Sequence, residues 1–500
     1  MNQVKDIIQN RQLTYNQKII KLAQQAENTL NEVSSDDEIN KLQDQKVICD
    51  LYEGNAPYRP RYVLPDYEKF MKQGSEFLNL EPPKTLLEAV NALLIMYKYV
   101  PSITTFPVFL GNIDALLEPF ITNTSLDYEI IKMFLTNIDR TLVDSFVHAN
   151  IGPKRTKAGS LILQAEKELQ NVVPNLSLKY NHETPDDFAK EAIATSLSAA
   201  KPYFVNHDMF VEDFGENYGI ASCYNGLPIG GGSYTLVRMN LKNLTFDSKN
   251  SEEFLVKQLP AAVEAMSRLM DSRIEFLTEK SGFFESSFLV KEGLIHKDRF
   301  TAMFGIHGLA ECINELMIKD NKKGRFGHND TANELGETVL KHLEKEVKKH
   351  INSKCTVSND NFMLHAQCGI GDDVNTSPGC RIPAGDEPET MEQILQASLY
   401  HKYFPTGVSD VFTFDNTAKN NPDFVLDIVK GALKSGIRVF SFYTKDSDLI
   451  RITGYLAKKS EMAKFKNGEQ NLQNTVELAQ PAVESLNVDL RKQIAKIKVG

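Results

Sequence analysis

The sequence predicts one large α/β domain with a helical layer at its N-terminus. Helical spacing of apolar residues dominates the first part of the chain, whereas strands and helices alternate in the last third. The clearest unit is a strand at 408–414, a helix that begins at Asn421-Pro422 and closes at Gly436, and a strand at 437–443. Such a βαβ unit requires parallel strands joined by a right-handed crossover. We therefore expect a barrel-like arrangement of strands covered by helices.

The other elements follow from capping residues, prolines and apolar periodicity. Thr85 and Glu88 form a capping-box pattern that opens a helix, and Gly152-Pro153 ends the helix that Ser125 begins. The predicted helices span 14–33, 85–99, 125 to about 146, 184–201, 252–281, 309–319 and 331–351. The predicted strands are one that begins at 218 and runs into a glycine-rich loop, a second at 234–241 and a third at 301–306.

Composition and charge narrow the classes of function. The 500 residues are 42% hydrophobic and 24% charged, which is typical of a globular protein in water. The net charge is −10 without a basic tract, so neither nucleic acid nor an anionic membrane is an expected partner. The most apolar run, 86–100, contains Glu88, Asn91 and Lys98 and is too short to span a bilayer. Because the first residues show no apolar signal core, we expect a cytoplasmic protein.

The cysteines indicate neither a metal site nor a disulfide framework. No pair has the C-x-x-C spacing of zinc and iron–sulfur sites, so we expect no bound metal. In a reducing compartment they should be thiols, most of them buried as small apolar side chains. The six cysteines are Cys49, Cys223, Cys312, Cys355, Cys368 and Cys380.

Two short stretches carry the chemistry. One is Ser-Cys-Tyr-Asn-Gly at 222–226, which a glycine-rich run, Ile-Gly-Gly-Gly-Ser at 229–233, follows closely. The other is Arg-Ile-Thr-Gly-Tyr-Leu at 451–456, which taken alone would be a glycine bend. Backbone N–H groups of a glycine-rich run can bind phosphate, but the chain has no complete P-loop or dinucleotide fingerprint. A phosphate-binding enzyme is therefore the weaker alternative.

Together these stretches resemble the glycyl radical enzymes, and the anaerobic ribonucleotide reductases are the related large family. In that family a cysteine precedes a glycine-rich turn and a strand that ends in Asn-Leu. The matching residues here are Cys223, 230–233 and 240–241. The C-terminal signature of the family is similar to 451–456, and its radical glycine matches Gly454.

The resemblance extends over most of the chain from about residue 100, and the YjjI-type family is the most similar. It implies a ten-stranded barrel of two five-stranded parallel halves. The regions implied are a helical layer at 1–100, the barrel with its cysteine loop at 101–440 and a glycyl radical segment at 441–500. The further motifs that carry the resemblance are 104–107, 139–141, 145–150, 305–311, 382–387 and 403–407.

The chemistry that the resemblance implies suits these residue types. A radical at a glycine Cα is delocalised onto the neighbouring amide nitrogen and carbonyl, and no side chain twists the planar centre. A thiol is the natural relay, because its hydrogen is easily exchanged and a thiyl radical can abstract hydrogen from a C–H bond. We therefore expect Gly454 to store a radical that passes to Cys223, whose thiyl attacks an organic substrate.

The resemblance also implies a partner. Glycyl radical enzymes are activated by a separate radical S-adenosylmethionine protein with a [4Fe–4S] cluster, and this chain has no clustered cysteines to hold such a cluster. The polar segment with Lys458, Lys459, Lys464 and Lys466 could leave the barrel for that activase, although a solvated helix face explains the charges equally well. Oxygen would cleave the backbone at Gly454, so we expect anaerobic conditions. A homodimer is a further expectation.

The reaction stays open at this level. Related dehydratases and decarboxylases carry a carboxylate two residues after the cysteine, where this chain has Asn225, and acyl-transfer relatives have a second cysteine where it has Tyr224. The zinc site and nucleotide-sensing domain of ribonucleotide reductases are not visible. A ribonucleotide-reductase-like reductase and a non-catalytic scaffold protein with the radical fold are the alternatives. Cys368 or Cys380 is the candidate for a second thiol.

Polar residues near these motifs are candidates for substrate binding. Several have a simpler alternative: His148 and Asn150 could brace a loop at a helix end, His307 and Glu311 could cap the N–H groups of a helix, and Glu387 could be a first-turn helix charge. The candidates are His148, Asn150, Asn225, Asn240, His307, Glu311, His365 and Glu387.

Overall fold

Two β-sheets, two β-hairpins and the surrounding helices make up the chain. The structure is a computed structural model, and it describes residues 3–27, 29–30, 32–33, 35–49, 53–54, 56–100, 108–142, 146–366, 375–452, 454–470 and 494. The strands are β1 (Ile48–Cys49), β2 (Tyr62–Leu64), β3 (Phe109–Asn112), β4 (His148–Ile151), β5 (Asn175–Tyr180), β6 (Tyr203–Asn206), β7 (Tyr218–Ala221), β8 (Asn225–Pro228), β9 (Gly231–Asn240), β10 (Phe300–His307), β11 (Met363–Ala366), β12 (Asp410–Phe414), β13 (Val439–Thr444), β14 (Leu449–Arg451) and β15 (Leu456–Lys458).

Helices cover the sheets and are the main regular structure in the described part of the first hundred residues. They are α1 (Gln3–Gln9), α2 (Tyr15–Glu27), α3 (Asp37–Asp44), α4 (Tyr67–Gln73), α5 (Leu86–Tyr97), α6 (Ile113–Leu117), α7 (Ser125–Thr141), α8 (Lys157–Leu169), α9 (Asp186–Ala199), α10 (His207–Phe214), α11 (Leu241–Leu244), α12 (Ser251–Glu253), α13 (Leu259–Glu275), α14 (Phe283–Ser286), α15 (Phe288–Lys291), α16 (Leu309–Lys319), α17 (Asp330–Lys349), α18 (Thr390–His401), α19 (Pro422–Lys434) and α20 (Lys459–Lys466).

The larger sheet has the order β12-β13-β6-β5-β4-β3. Strands β3 to β6 are parallel, and β13 reverses direction against β6 while pairing in parallel with β12. The predicted βαβ unit is confirmed, because α19 connects β12 to β13 and the strands pair from Asp410–Phe440 to Phe414–Thr444. The interior strands are buried on both faces, as expected of parallel strands between two layers.

The second sheet contains β9, β10 and β11 in parallel, with β1 and β2 antiparallel to β9. The two sheets meet where Ala366 N, at the end of β11, donates a hydrogen bond of 3.1 Å to Gly407 O, just before β12. On the other side β2 packs against β3. The mixed α/β fold with parallel sheets is confirmed, and full closure into a ten-stranded barrel stays a prediction.

Two predicted stretches differ from the structure. Residues 146–153, predicted as a helix end, contain strand β4, which lies between β3 and β5. The prediction failed because this strand carries polar residues at positions 148 and 150, which bind a hairpin inside the sheets and break the apolar pattern of a buried strand. Residues 218–228, predicted as one strand and a loop, form the hairpin of β7 and β8, and β9 begins at Gly231.

Candidate active site

The candidate radical cysteine lies at the tip of a buried hairpin. Strands β7 and β8 pair antiparallel, and 222–224 form the turn between them. We call 218–228 the thiol hairpin. Ser222 has a positive φ of 57°, which turns the chain so that Cys223 is at the tip with 1% of its surface exposed. The hairpin places one thiol inside the protein.

The free edge of β7 is bound by side chains instead of by a strand. Lys179 Nζ donates to Tyr218 O at 2.7 Å. Asn150 Nδ2 donates to Ile220 O at 2.9 Å, and its Oδ1 accepts from Ile220 N at 2.8 Å. His148 Nδ1 is hydrogen-bonded to Ser222 O. Alternate residues of β7 are therefore fixed by β4 and β5, and this explains why polar side chains occupy buried strands.

The protonation of His148 follows from its partners. A carbonyl only accepts, so Nδ1 carries the hydrogen that faces Ser222 O, and Nε2 accepts from Ser177 Oγ at 2.6 Å. Burial is the main cause that lowers the pKa of His148 to about 3; the hydrogen bond to Ser222 opposes this shift, and the charges of Arg451 and Lys201 contribute to it. His148 is thus a neutral imidazole that braces the thiol hairpin.

Gly454 lies at the tip of a second hairpin. Strands β14 and β15 pair antiparallel, and Ile452 N donates to Tyr455 O at 3.1 Å across the turn. We call 449–458 the glycyl hairpin. A Cβ placed on Gly454 would lie 2.0 Å from Cys223 Cβ and 2.8 Å from Cys223 Sγ. Only a residue without a side chain allows this approach, so the two hairpin tips are in contact at the glycine and the thiol.

A tyrosine from the sheet contacts the glycyl hairpin at two points. The Tyr203 hydroxyl is 3.1 Å from Gly454 O and 3.0 Å from Asn175 Oδ1. The guanidinium of Arg451 lies over the Tyr203 ring, 3.7 Å from its centroid, and Arg451 Nη2 donates to Ala200 O at 2.6 Å. Both contacts are buried.

Asn225 lies beside the thiol, as its position in the sequence predicts. Cys223 Sγ donates to Asn225 Oδ1 at 3.4 Å. The Asn225 side chain is fully buried, and its Nδ2 has no hydrogen-bond partner among the described residues. Because it lies next to a buried thiol, this amide donor is available to bind an acceptor atom of a ligand.

A cavity of about 260 Å³ opens beyond the carboxyl end of β10 and at the amino end of β12. Glu311 lies in the first turn of α16, where Oε1 accepts from Ser377 Oγ at 2.7 Å and Oε2 is buried with no partner among the described residues. Burial raises the pKa of Glu311. The cavity is lined by Glu311, Asn375, Thr376, Ser377, Pro378, Arg381, Ile382, Pro383, Ala384, Glu387, Gln393, Asp410 and Val411.

Tyr224 connects this cavity to the thiol hairpin. Its hydroxyl donates to Ala366 O at 2.8 Å, and its ring stacks on His365 with centroids 5.7 Å apart. The guanidinium of Arg381, which lines the cavity, lies 5.7 Å from the centroid of the same ring. The residue after the candidate radical cysteine is therefore in contact with the wall of the cavity.

The other predicted site residues lie around the ends of these strands. Asn240 caps α11, with Oδ1 accepting from Asn243 N at 3.2 Å, and it pairs with His307 across β9 and β10. His307 Nδ1 is 3.3 Å from Thr376 Oγ1, and His365 Nδ1 is 3.1 Å from Thr406 O. Asn240, His307 and His365 therefore lie on the side of the thiol hairpin that faces the cavity. His148 and Asn150 bind the opposite edge of that hairpin.

The second-thiol candidates differ in what the structure describes. Cys380 follows Gly379, which packs against Ala366, and its side chain is buried. Burial raises the pKa of the Cys380 thiol well above its usual range. Cys368 lies outside the described residues. Cys312 and Cys355 are buried, as predicted for structural thiols.

The glycine-rich run is a strand and not an open loop. A Cβ on Gly231 would lie 1.9 Å from Arg299 O, and a Cβ on Gly232 would lie 1.9 Å from Tyr62 O. These glycines allow the backbones of β2 and of residue 299 to approach β9. Close packing explains the run without a bound phosphate, so the phosphate-binding alternative loses its basis.

Sequence reasoning missed Tyr203, Lys179 and Arg381. Tyr203 stands in a four-residue strand after Lys201-Pro202, and nothing in the local pattern indicates that it faces residue 454. Lys179 alternates with Asn175 and Ser177 along β5, and this run of polar residues at every second position was the one available signal. In the described residues, no helix is long and apolar enough to cross a membrane, and no three acidic, histidine or cysteine side chains cluster as metal ligands.

A glycine and a cysteine in contact at two hairpin tips, inside parallel α/β sheets, define a glycyl radical enzyme. The sequence profile of one family in this class, described as "Glycyl radical enzyme YjjI-like", matches residues 13–494. The chain belongs to this YjjI-like family.

Relatives and solved structures agree with this assignment. The chain is 42% identical to an uncharacterized protein of Haemophilus influenzae, over 98% of its own length and 96% of the relative's. It is also 42% identical to the uncharacterized protein YjjI of Escherichia coli, over 93% and 91% of the two chains.

Two solved structures are similar in fold at low sequence identity. The Thermotoga maritima anaerobic ribonucleotide reductase in complex with dATP and CTP has a TM-score of 0.71 and 12% identity, over 93% of this chain and 92% of that one. The Clostridioides difficile hydroxyproline dehydratase with trans-4-hydroxy-L-proline bound has a TM-score of 0.69 and 12% identity, over 98% and 88%.

Proposed function

We propose that Gly454 stores a radical that passes to Cys223, and that the Cys223 thiyl abstracts hydrogen from a small organic substrate. The observation that carries this proposal is the contact of Gly454 with Cys223, where a Cβ would lie 2.8 Å from Sγ. In the first step the S–H hydrogen atom moves to the glycine Cα, which leaves the unpaired electron on sulfur. In the second step a substrate C–H bond breaks, the S–H bond re-forms and the substrate becomes the radical.

The substrate site that we propose is the cavity beside Tyr224, together with the amide of Asn225. Among the described residues, its charged lining consists of Glu311, Glu387 and Asp410 against one cation, Arg381. A triphosphate would meet repulsion from three carboxylates, and a volume of about 260 Å³ is small for a nucleotide. A small polar molecule with hydrogen-bond donors fits better, since Glu311 Oε2 is an acceptor without a partner among the described residues.

The predicted substrate residues then separate into two roles. We propose that Asn225 and Glu311 contact the substrate, with Asn240, His307, His365 and Glu387 shaping the strand ends around it. His148 and Asn150 instead position the thiol hairpin, because their polar atoms bind the backbone of β7. Removing a positioning residue should impair every hydrogen transfer from Cys223, whereas removing a contact residue should impair substrate binding.

The radical on Gly454 must come from another protein. We propose a radical S-adenosylmethionine activase as that partner, which supplies S-adenosylmethionine and a [4Fe–4S] cluster of its own. Gly454 is buried, so the glycyl hairpin has to leave its contact with Cys223 for the activase to reach the glycine. A cytoplasmic location, anaerobic conditions and a homodimer remain parts of the same proposal.

The experiment is electron paramagnetic resonance after anaerobic incubation with the cognate activase. A glycine-centred doublet is expected for the wild-type chain, because one α-hydrogen remains on the radical carbon. The doublet should be absent in Gly454→Ala and present in Cys223→Ser. If the wild type gives no doublet, or if the doublet survives Gly454→Ala, the proposal is wrong. The alternative of a non-catalytic scaffold would be abandoned if Cys223→Ser keeps the glycyl doublet but loses turnover of a substrate.

The ribonucleotide-reductase-like alternative is supported by fold similarity to the Thermotoga maritima enzyme. Binding separates it from the small-substrate proposal. Thermal unfolding of the radical-free protein should be unchanged by CTP at millimolar concentration. A CTP-dependent rise of the unfolding temperature that Arg381→Gln abolishes would favour the nucleotide.

A further inference from the structure

The hydroxyl of Tyr203 is the one side-chain group that the structure places on the backbone of Gly454 among the described hydrogen bonds. It lies 3.1 Å from Gly454 O and 3.0 Å from Asn175 Oδ1, and the contact is buried. A hydroxyl has one hydrogen, so at any moment it donates to one of these two acceptors. The carbonyl that it reaches is the acceptor half of the group that would delocalise a radical on the glycine.

The ring of Tyr203 is held on its face and at its edge. The guanidinium of Arg451 lies 3.7 Å from the ring centroid, and the His148 ring meets Tyr203 edge to face with centroids 5.5 Å apart. A cation over the face draws electron density from the phenol and makes its hydroxyl a stronger donor. Because Arg451 belongs to the glycyl hairpin, the hairpin binds Tyr203 through the ring as well as through Gly454 O.

We infer that Tyr203 is a positioning residue that sets the stability of the radical on Gly454, an inference that rests on the proposed function. A hydrogen bond to Gly454 O favours the resonance form that places negative charge on oxygen, so it stabilises the glycyl radical. The affected equilibrium moves one hydrogen atom: the Cys223 S–H bond breaks as the Gly454 Cα–H bond forms. Donation from Tyr203 therefore holds the unpaired electron on glycine and limits the thiyl population.

The second acceptor makes this effect adjustable. When the electron is on Gly454, the more negative carbonyl attracts the Tyr203 hydrogen. When the electron has moved to Cys223, Gly454 O no longer carries the extra negative charge. Asn175 Oδ1, at 3.0 Å, is then an equally good acceptor for the Tyr203 hydrogen. The shared hydrogen thus follows the location of the radical, and no backbone movement is needed.

The experiment compares Tyr203→Phe with the wild type, both activated anaerobically and labelled with [1-13C]glycine. The aromatic ring and its contact with Arg451 are retained, and the hydroxyl is removed. We expect a doublet with a changed carbon-13 splitting and a decay about fivefold faster, the effect of losing one hydrogen bond of ordinary strength. The matched control is Tyr97→Phe, which removes a buried hydroxyl that donates to Leu110 O at 2.8 Å.

A second variant should change the decay rate of the glycyl radical in the opposite direction. Asn175→Ala removes the acceptor that competes with Gly454 O for the Tyr203 hydrogen, so the doublet should decay more slowly than in the wild type. A carbon-13 splitting and decay in Tyr203→Phe that equal those of the wild type would overturn the inference, and so would faster decay in Asn175→Ala. If the wild type itself forms no doublet, it is the proposed function that fails, so the two failures are distinguishable.

Discussion

The thiol hairpin and the glycyl hairpin have the same local shape but different surroundings. The thiol hairpin lies between sheet strands, and side chains of β4 and β5 bind alternate residues along its edge. The glycyl hairpin continues into α20, which has no buried residue between Lys459 and Lys466. One tip is fixed within the core, and the other is carried on a segment whose far end is at the surface. This difference agrees with the proposal that an activase reaches Gly454 from outside while Cys223 stays in place.

Among substitutions that test the contrast between the two hairpins, Gly454→Ala should have the largest effect, because it removes the radical as well as lowering stability. The added Cβ would lie 2.0 Å from Cys223 Cβ. The backbone fixes the positions of both Cβ atoms, so no side-chain rotation can relieve the clash. We expect the glycyl hairpin to be displaced, with a loss of about 1–3 kcal/mol in the free energy of unfolding and no radical. Denaturant unfolding gives the first quantity and paramagnetic resonance the second.

The matched control for this change is Gly431→Ala in α19, where an added Cβ meets nothing within 4 Å. A helical glycine replaced by alanine should stabilise the protein by up to about 1 kcal/mol. Equal effects at the two positions would show that the hairpin tips are not in contact.

The next largest effect should come from Asn150→Ala, which removes the side-chain hydrogen bonds that hold β7 of the thiol hairpin. The change leaves the buried N–H and C=O of Ile220 without the two bonds of 2.8 and 2.9 Å. Unpaired buried groups of this kind cost about 1–3 kcal/mol each, so we expect a total loss of about 2–6 kcal/mol. Asn137→Ala on the exposed face of α7 is the control, with an expected change within about 0.5 kcal/mol.

A smaller effect is a pH dependence from His148. Its pKa is about 3 in the folded protein against an ordinary 6.5, so the unfolded chain binds more protons between these values. Folding stability contributed by this residue is therefore fully present above about pH 6.5 and is lost as the pH falls. Relative to His148→Gln, the wild type should lose about 1.4 kcal/mol per pH unit below the unfolded pKa.

Urea unfolding at pH 7 and pH 5 measures this difference directly. The same substitution at the surface residue His342, on α17, provides the control. An identical pH dependence for the wild type and His148→Gln would contradict a neutral, buried imidazole under the thiol hairpin.

The smallest effect should come from Lys464→Ala in α20. Lys464, whose side chain is 40% exposed, pairs with the partly buried Glu461 at 2.7 Å beyond the glycyl hairpin. Ion pairs that reach solvent on one side contribute about 0–1 kcal/mol, so the free energy of unfolding should change little. A loss above about 2 kcal/mol would mean that this segment is anchored as firmly as the thiol hairpin, and the contrast between the hairpins would not hold.

The elements with strong local signals were predictable from sequence. Helix α16 spans the predicted 309–319, and α19 with its flanking strands follows the predicted unit, because capping residues, prolines and apolar periodicity act over short distances. The pairing of Gly454 with Cys223 was predicted through the resemblance of two motifs to a family. The structure places the two residues in contact, and their radical roles stay a prediction.

The support of the site could not be predicted in the same way. β4 was missed because His148 and Asn150 form hydrogen bonds with a hairpin seventy or more residues away. The local sequence pattern therefore does not indicate that these polar residues are buried. Tyr203 meets Gly454 across 251 positions. Such pairings depend on strand order and register, which periodicity within one segment does not contain.

The most direct test of the central claim is hydrogen transfer between Gly454 and Cys223, measured without a substrate. The activated protein is transferred anaerobically to D₂O, where the Cys223 thiol exchanges its hydrogen with solvent. If the radical visits Cys223, deuterium returns to Gly454 and the doublet of the wild type collapses to a near-singlet, while Cys223→Ser keeps its doublet. A wild-type doublet that persists in D₂O, or one that collapses equally in Cys223→Ser, would contradict the account.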